Sequence, residues 1–149
     1  MSYLIDTNIL LRSTQKNHPL REVAVQAVKT LFYQGKPLCV TSQNLIEFWV
    51  VATRLINVNG LGLSGTEALN ELEQIQDTFT LLPDVKTIFP IWKNLTVSHQ
   101  VMGKPAHDVR LVAAMTAYGL THLLTFNIDD FKRFSSITAI PPRAVSGVK

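Results

Sequence analysis

Short apolar runs alternate along this chain with longer stretches of helical periodicity. Tyr3-Leu4-Ile5 is apolar throughout and is cut off by the turn-forming triplet Asp6-Thr7-Asn8, which predicts a brief buried strand. A helix follows from near Pro19, with Val23, Ala27, Val28 and Leu31 on one stripe, and Gly35 and Pro37 close it. Leu38-Cys39-Val40 predicts a second strand, and Ser42 a cap for an apolar helix reaching about Asn57. Beyond a Gly- and Asn-rich loop over 57–65, the pattern predicts a helix over 66–77 and a strand over 79–82. Asp84 then stands as the cap of a helix running to about Val101, before a break over 102–105. A helix over 107–119, strands over 122–126 and 137–140, and an irregular tail from Pro141-Pro142 complete the reading. Strands alternating with helices at this spacing predict an α/β domain with a mainly parallel sheet, all of 1–149 forming one domain.

Composition narrows the class. With 46% hydrophobic and 17% charged residues the chain can build a core and is not a disordered segment. No apolar run approaches the roughly 20 residues of a spanning helix, and the first residues lack the basic and long apolar stretches of a secretory signal. Cys39 is the only cysteine, so no disulfide within the chain is possible. Its place between Leu38 and Val40 predicts a buried thiol, and the expected setting is a reducing cytoplasm, away from membranes. A net charge of +3, from 14 basic and 11 acidic residues, permits a polyanionic partner without demanding one. The apolar surplus points to a partner surface, and the segments 45–56 and 66–79 are the candidate faces for a second copy and another protein.

Three acids interrupt this apolar frame. Asp6 ends the first strand, where ligands of α/β sheets bind. Glu47 lies within the apolar run Leu45-Ile46-Glu47-Phe48-Trp49-Val50, which predicts a buried carboxylate. Asp108 shares a helical stripe with Leu111, Val112 and Met115 and so faces inward. Each acid also has an ordinary structural role open to it: an Asx-turn for Asp6, a helix cap for Asp108, and pairing with Arg54 or Arg110 for Glu47. A buried carboxylate is costly unless paired or metal-bound, so three on separate elements point to one cation site. Carboxylates without His or Cys partners select Mg²⁺ or Mn²⁺, and metal-assisted phosphodiester hydrolysis is the chemistry that follows.

Four segments carry a family resemblance across nearly the whole chain. Leu4-Ile5-Asp6-Thr7-Asn8-Ile9-Leu10 resembles the opening strand and turn of the PIN domain family. Leu45-Ile46-Glu47-Phe48 resembles its second acidic motif, and His107-Asp108-Val109-Arg110-Leu111-Val112-Ala113-Ala114 its third. Thr125-Phe126-Asn127-Ile128-Asp129-Asp130-Phe131 resembles the fourth. The resemblance implies an α/β/α sandwich around a parallel sheet and a Mg²⁺- or Mn²⁺-dependent ribonuclease. In the small VapC-like toxins of this size it further implies an RNA substrate, a homodimer and a cognate antitoxin. It would make Asp6, Glu47 and Asp108 metal ligands, with Thr7 and Asn8 ordering the first motif. Asn127 stands where some members carry Asp, so one negative charge is missing and a second ion would be held less tightly. Asp129 and Asp130 compete for that role but read better as helix-start caps.

Arg12, Lys16, Lys104, Arg110, Lys132 and Arg133 flank the motifs and could grip phosphates on the rim of a cleft, with Arg110 and Arg12 the leading candidates. Ordinary surface charge is the simpler reading of any one of them. A different class of function is a catalytically weak or inactive PIN-fold module for RNA binding or assembly, which Asn127 keeps open. An aspartyl-nucleophile phosphotransferase is disfavoured because Asn8 occupies the place of its second acid. No glycine-rich phosphate loop follows the first strand, which speaks against a simple nucleotide-binding fold.

Overall fold

The computed structural model describes residues 1–146. Five strands, β1 (Tyr3–Ile5), β2 (Leu38–Thr41), β3 (Thr80–Leu82), β4 (His122–Leu124) and β5 (Thr138–Ile140), form one sheet in the order β3-β2-β1-β4-β5. Every pairing is parallel, with Leu4 opposite Cys39 on one side and Leu123 on the other. Among the described residues seven α-helices accompany them: α1 (Thr7–Thr14), α2 (Arg21–Tyr33), α3 (Ser42–Thr53), α4 (Gly65–Thr78), α5 (Ile88–Ser98), α6 (Ala106–Tyr118) and α7 (Pro142–Ser146).

The pleat sorts the central strands into two cores. Tyr3, Ile5, Leu38, Val40 and Leu124 pack with α1 to α4, whereas Leu4, Cys39 and Leu123 pack with Val109, Val112 and Met115 of α6. Alternate side chains of one strand thus face opposite helical layers, which is why Tyr3-Leu4-Ile5 is apolar at every position. The result is an α/β/α sandwich.

Several boundaries differ from the sequence pattern. Asp6-Thr7-Asn8 is not a free turn, because Asp6 caps α1 through its own carboxylate and Ile9, Leu10 and Leu11 continue into the core. The donor is the N–H of the next residue and not the one two residues on that an Asx-turn uses, so Asp6 closes the helix start rather than a turn. Thr41, not Ser42, caps α3, since Thr41 and Asn44 form a reciprocal capping box. Asp84 caps nothing: α5 begins at Ile88, and the Asp84 carboxylate bonds Arg110 and Ser42 instead. Those bonds hold its pKa below the ordinary carboxylate range. Residues 142–146 of the expected irregular tail are the helix α7, and 147–149 lie outside the described residues. Among the described residues no helix is long and apolar enough to cross a membrane.

Candidate functional site

With β2 and β3 on one side of β1 and β4 and β5 on the other, the connections diverge between β1 and β4. An α/β sheet opens a crevice at such a switch point, beyond the carboxyl ends of its strands. Asp6 stands there, its N–H donating to Leu124 O at 3.0 Å. Its Oδ1 accepts from the Thr7 N–H at 2.8 Å, and its Oδ2 accepts from Thr125 Oγ1 at 2.7 Å and more weakly from Asn8 Nδ2 at 3.5 Å. Asn8 also donates to Thr125 Oγ1 at 3.3 Å and accepts from the Phe126 N–H, so it ties the two strand ends together.

Glu47 reaches the same place from α3. It is half-buried rather than buried, because the outer side of this apolar helix is open: Ile46, Trp49 and Val50 are exposed. Neither Arg54 nor Arg110 pairs with it. Its Oε1 accepts from Thr7 Oγ1 at 3.0 Å and its Oε2 from Gln43 Nε2 at 3.1 Å. Behind Thr7 lies Asn44, fully buried, whose Nδ2 donates to Thr7 Oγ1 at 3.2 Å while its Oδ1 accepts from the Thr41 N–H and hydroxyl. Asp108 is the third residue of α6, not its cap, and its half-buried carboxylate accepts no hydrogen bond among the described residues. Asn127 is exposed just past β4, with its N–H donating to Thr125 Oγ1 at 3.0 Å.

Asp6, Thr7, Asn8, Glu47, Asp108 and Asn127 line one cleft of about 560 Å³, with Lys104 at its edge. The carboxylates act on one another electrostatically. Burial pushes the Asp6 pKa up to about 6, and the charges of Glu47 and Asp108 push the same way against the hydrogen bonds from Thr125 and Thr7. Burial also raises Asp108, followed by the charges of Asp130 and Glu47, with His107 opposing. Asp130 therefore lies within electrostatic reach of the cleft, whereas Asp129 pairs with Lys132 on the surface. Among the described residues no three Asp, Glu, His or Cys side chains close around a single point. The donor set still fits a hard cation. It consists of oxygen only, its most buried member is destabilised as an anion, and Mg²⁺ keeps several waters rather than requiring an all-protein cage.

The two candidate phosphate contacts stand elsewhere. Arg12 bonds Gln15 within the α1 region and does not line the cleft. Arg110 turns to Gln43 and Asp84 and lines an adjoining hollow of about 650 Å³. That hollow shares Glu47, Val50 and Lys104 with the cleft, so the two make one groove. Sequence reasoning passed over Gln43, Asn44 and Thr41. Their only signal was the Thr41-x-x-Asn44 capping spacing, which speaks of a helix start and not of a site. Removing the buried amide with Asn44→Ala should lower unfolding free energy by about 2 kcal/mol, since Thr41 and Thr7 lose a buried partner. Urea unfolding measures this, and an unchanged midpoint would contradict the network.

The PIN domain family profile matches residues 3–137, from the first strand to the threshold of the last. The chain belongs to the PIN domain family. No curated protein sequence matches it significantly. Solved structures agree with the fold of this PIN domain. VapBC2 from Rickettsia felis, solved bound to a DNA fragment from its promoter, superposes with a TM-score of 0.71 at 15% identity, covering 95% of this chain and 98% of that one. VapBC-1 from nontypeable Haemophilus influenzae gives 0.69 at 15% identity, with the same coverage of 95% and 98%. VapC20 from Mycobacterium tuberculosis, described as a sarcin–ricin loop cleaving toxin, gives 0.67 at 15% identity over 89% of this chain and 95% of that one.

Proposed function

We propose that this PIN domain is a metal-dependent endoribonuclease, the toxin of a toxin–antitoxin pair, hydrolysing RNA phosphodiester bonds in the cytoplasm. The observation that carries the reading is the convergence of Asp6, Glu47, Asp108 and Asn127 on one cleft at the switch point of the sheet. It is supported by membership of a nuclease family and by structural neighbours described as a toxin–antitoxin complex and as a member of a family of toxin–antitoxin systems.

Asp6, Glu47 and Asp108 would hold Mg²⁺ or Mn²⁺. When bound, the ion supplies Lewis acidity: it lowers the pKa of a water and offsets negative charge gathering at the phosphate. Thr7 and Thr125 fix the Glu47 and Asp6 carboxylates from behind, leaving lone pairs for the cleft. Asn127 presents a neutral carboxamide that can orient a water or a substrate hydroxyl. Lys104 at the edge of the cleft and Arg110 farther along the groove would meet successive phosphates. The exposed Ile46, Trp49 and Val50 of α3 offer a face for a second copy, and Leu69 of α4 belongs to the face for an antitoxin.

Incubating the antitoxin-free full chain with a mixed RNA substrate tests the reading. Cleavage is expected with Mg²⁺ or Mn²⁺, is expected to stop with EDTA, and should return when excess metal is added back. The second reading, a PIN-fold RNA-binding or assembly module with weak or no catalysis, draws on Asn127 and on the open spacing of the acids. RNA retention without any cutting, by folded protein in every metal, would establish it instead.

A further inference from the structure

We propose that Gln43 is a positioning residue of this cleft, holding Glu47 and the start of α6 in register so that Glu47 and Asp108 address one cation. The metal in this statement rests on the nuclease reading; the bridge itself rests on geometry. Gln43 Nε2 donates to Glu47 Oε2 at 3.1 Å, one helical turn along α3, and to His107 O at 2.8 Å, the residue before Asp108. Its Oε1 accepts from Arg110 Nη1 at 3.1 Å, and Arg110 is itself held by Asp84 at 3.1 Å. Ser42, next to Gln43, donates to the other Asp84 oxygen at 2.8 Å and closes the circuit.

The chemistry of the contacts selects a carboxamide. Two acceptors face its nitrogen and a guanidinium faces its oxygen, so only one orientation of the amide satisfies all three. A carboxylate at this position would set an acceptor against two acceptors, and an ammonium could accept nothing from Arg110. The bridge also answers a problem set by the fold. The buried apolar residues of α3 (Leu45, Phe48, Ala52) belong to one core, whereas Val109, Leu111, Val112 and Met115 of α6 belong to the core on the opposite face of the sheet, and Ala113 and Ala114 pack with Ile88 of α5. Packing within either core therefore does not set the distance between Glu47 and Asp108. Gln43 spans the two helices at the carboxyl end of the sheet, where that distance matters. Asp108 accepts no hydrogen bond of its own among the described residues, so its place depends on where α6 begins.

The test is Mn²⁺ binding by calorimetry to the full chain, comparing wild type with Gln43→Met, which keeps the length of the stem and removes every hydrogen bond. Outer partners that orient metal ligands typically change affinity by about 10- to 100-fold, so Mn²⁺ binding should weaken by about tenfold or more. The metal-free unfolding midpoint should stay near that of wild type, and RNA turnover should lose kcat with KM little changed. Arg110→Met, which leaves both amide donors in place, should weaken Mn²⁺ binding by a smaller factor. Wild-type Mn²⁺ affinity in Gln43→Met would overturn the positioning role and leave the nuclease reading standing. Wild-type protein that takes up no Mn²⁺ would overturn the metal reading, and this assignment with it.

Discussion

Asp108→Asn is expected to reduce RNA cleavage by about a thousandfold or more while leaving the protein folded. The side chain is half-buried and accepts no hydrogen bond among the described residues, so an isosteric amide removes no structural contact. What it removes is one of the negative charges gathered on the cleft. Lewis-acid stabilisation of a reacting phosphate amounts to several kcal/mol, and each 1.36 kcal/mol is a factor of ten in rate. Losing most of that stabilisation gives the thousandfold figure. Single-turnover cleavage at saturating Mn²⁺, beside circular-dichroism melts of both proteins, separates lost chemistry from lost structure. Cleavage within about tenfold of wild type would sink the assignment of Asp108 to the metal.

The sequence was informative about the acids and less so about their surroundings. Strand β1 was legible because parallel strands buried on both faces are continuously apolar, and Asp6 was conspicuous because it ends such a run. Glu47 stood out for the same reason, yet its helix is apolar all round because α3 exposes Ile46, Trp49 and Val50, not because all of it is core. Linear proximity to the acids did not bring the two arginines into the cleft itself. Arg110 is two residues from Asp108, about 200° around the helix, so its side chain leaves in a different direction. Arg12 is six residues beyond Asp6, roughly 9 Å along α1, and finds Gln15 before it could reach the cleft. Gln43 and Asn44 were invisible because a polar residue after a strand is the ordinary sign of a helix start. Their partners, His107 and Arg110 for one and Thr7 for the other, are remote in the chain and adjacent only once the sheet has formed.

The metal-free protein should lose stability as pH rises from about 4 to about 6, and Asp6→Asn should abolish that part of the loss. The sign follows from the direction of the Asp6 shift. Its pKa goes from 3.8 to about 6 on folding, so between those values the folded state holds a proton that the unfolded state has released. Where the native state binds more protons, stability falls with rising pH. A displacement of about two units corresponds to about 3 kcal/mol, absent below pH 4 and fully expressed above about pH 7. Because other carboxylates titrate in the same range, the quantity to measure is the difference between Asp6→Asn and wild type, by urea unfolding in EDTA at several pH values. That difference should shift in favour of the variant across the window and then level off; a difference independent of pH would show that Asp6 is not destabilised as an anion. Metal supplies the converse. A cation that binds only the folded protein stabilises it by about 2.7 kcal/mol at a hundred times its dissociation constant. Mn²⁺ should therefore restore to wild type at pH 7 most of what ionisation of Asp6 takes away, and give Asp6→Asn much less. Burial of an acid whose hydrogen bonds do not offset its desolvation makes this cleft a weak point of the free fold, which a bound cation would reverse.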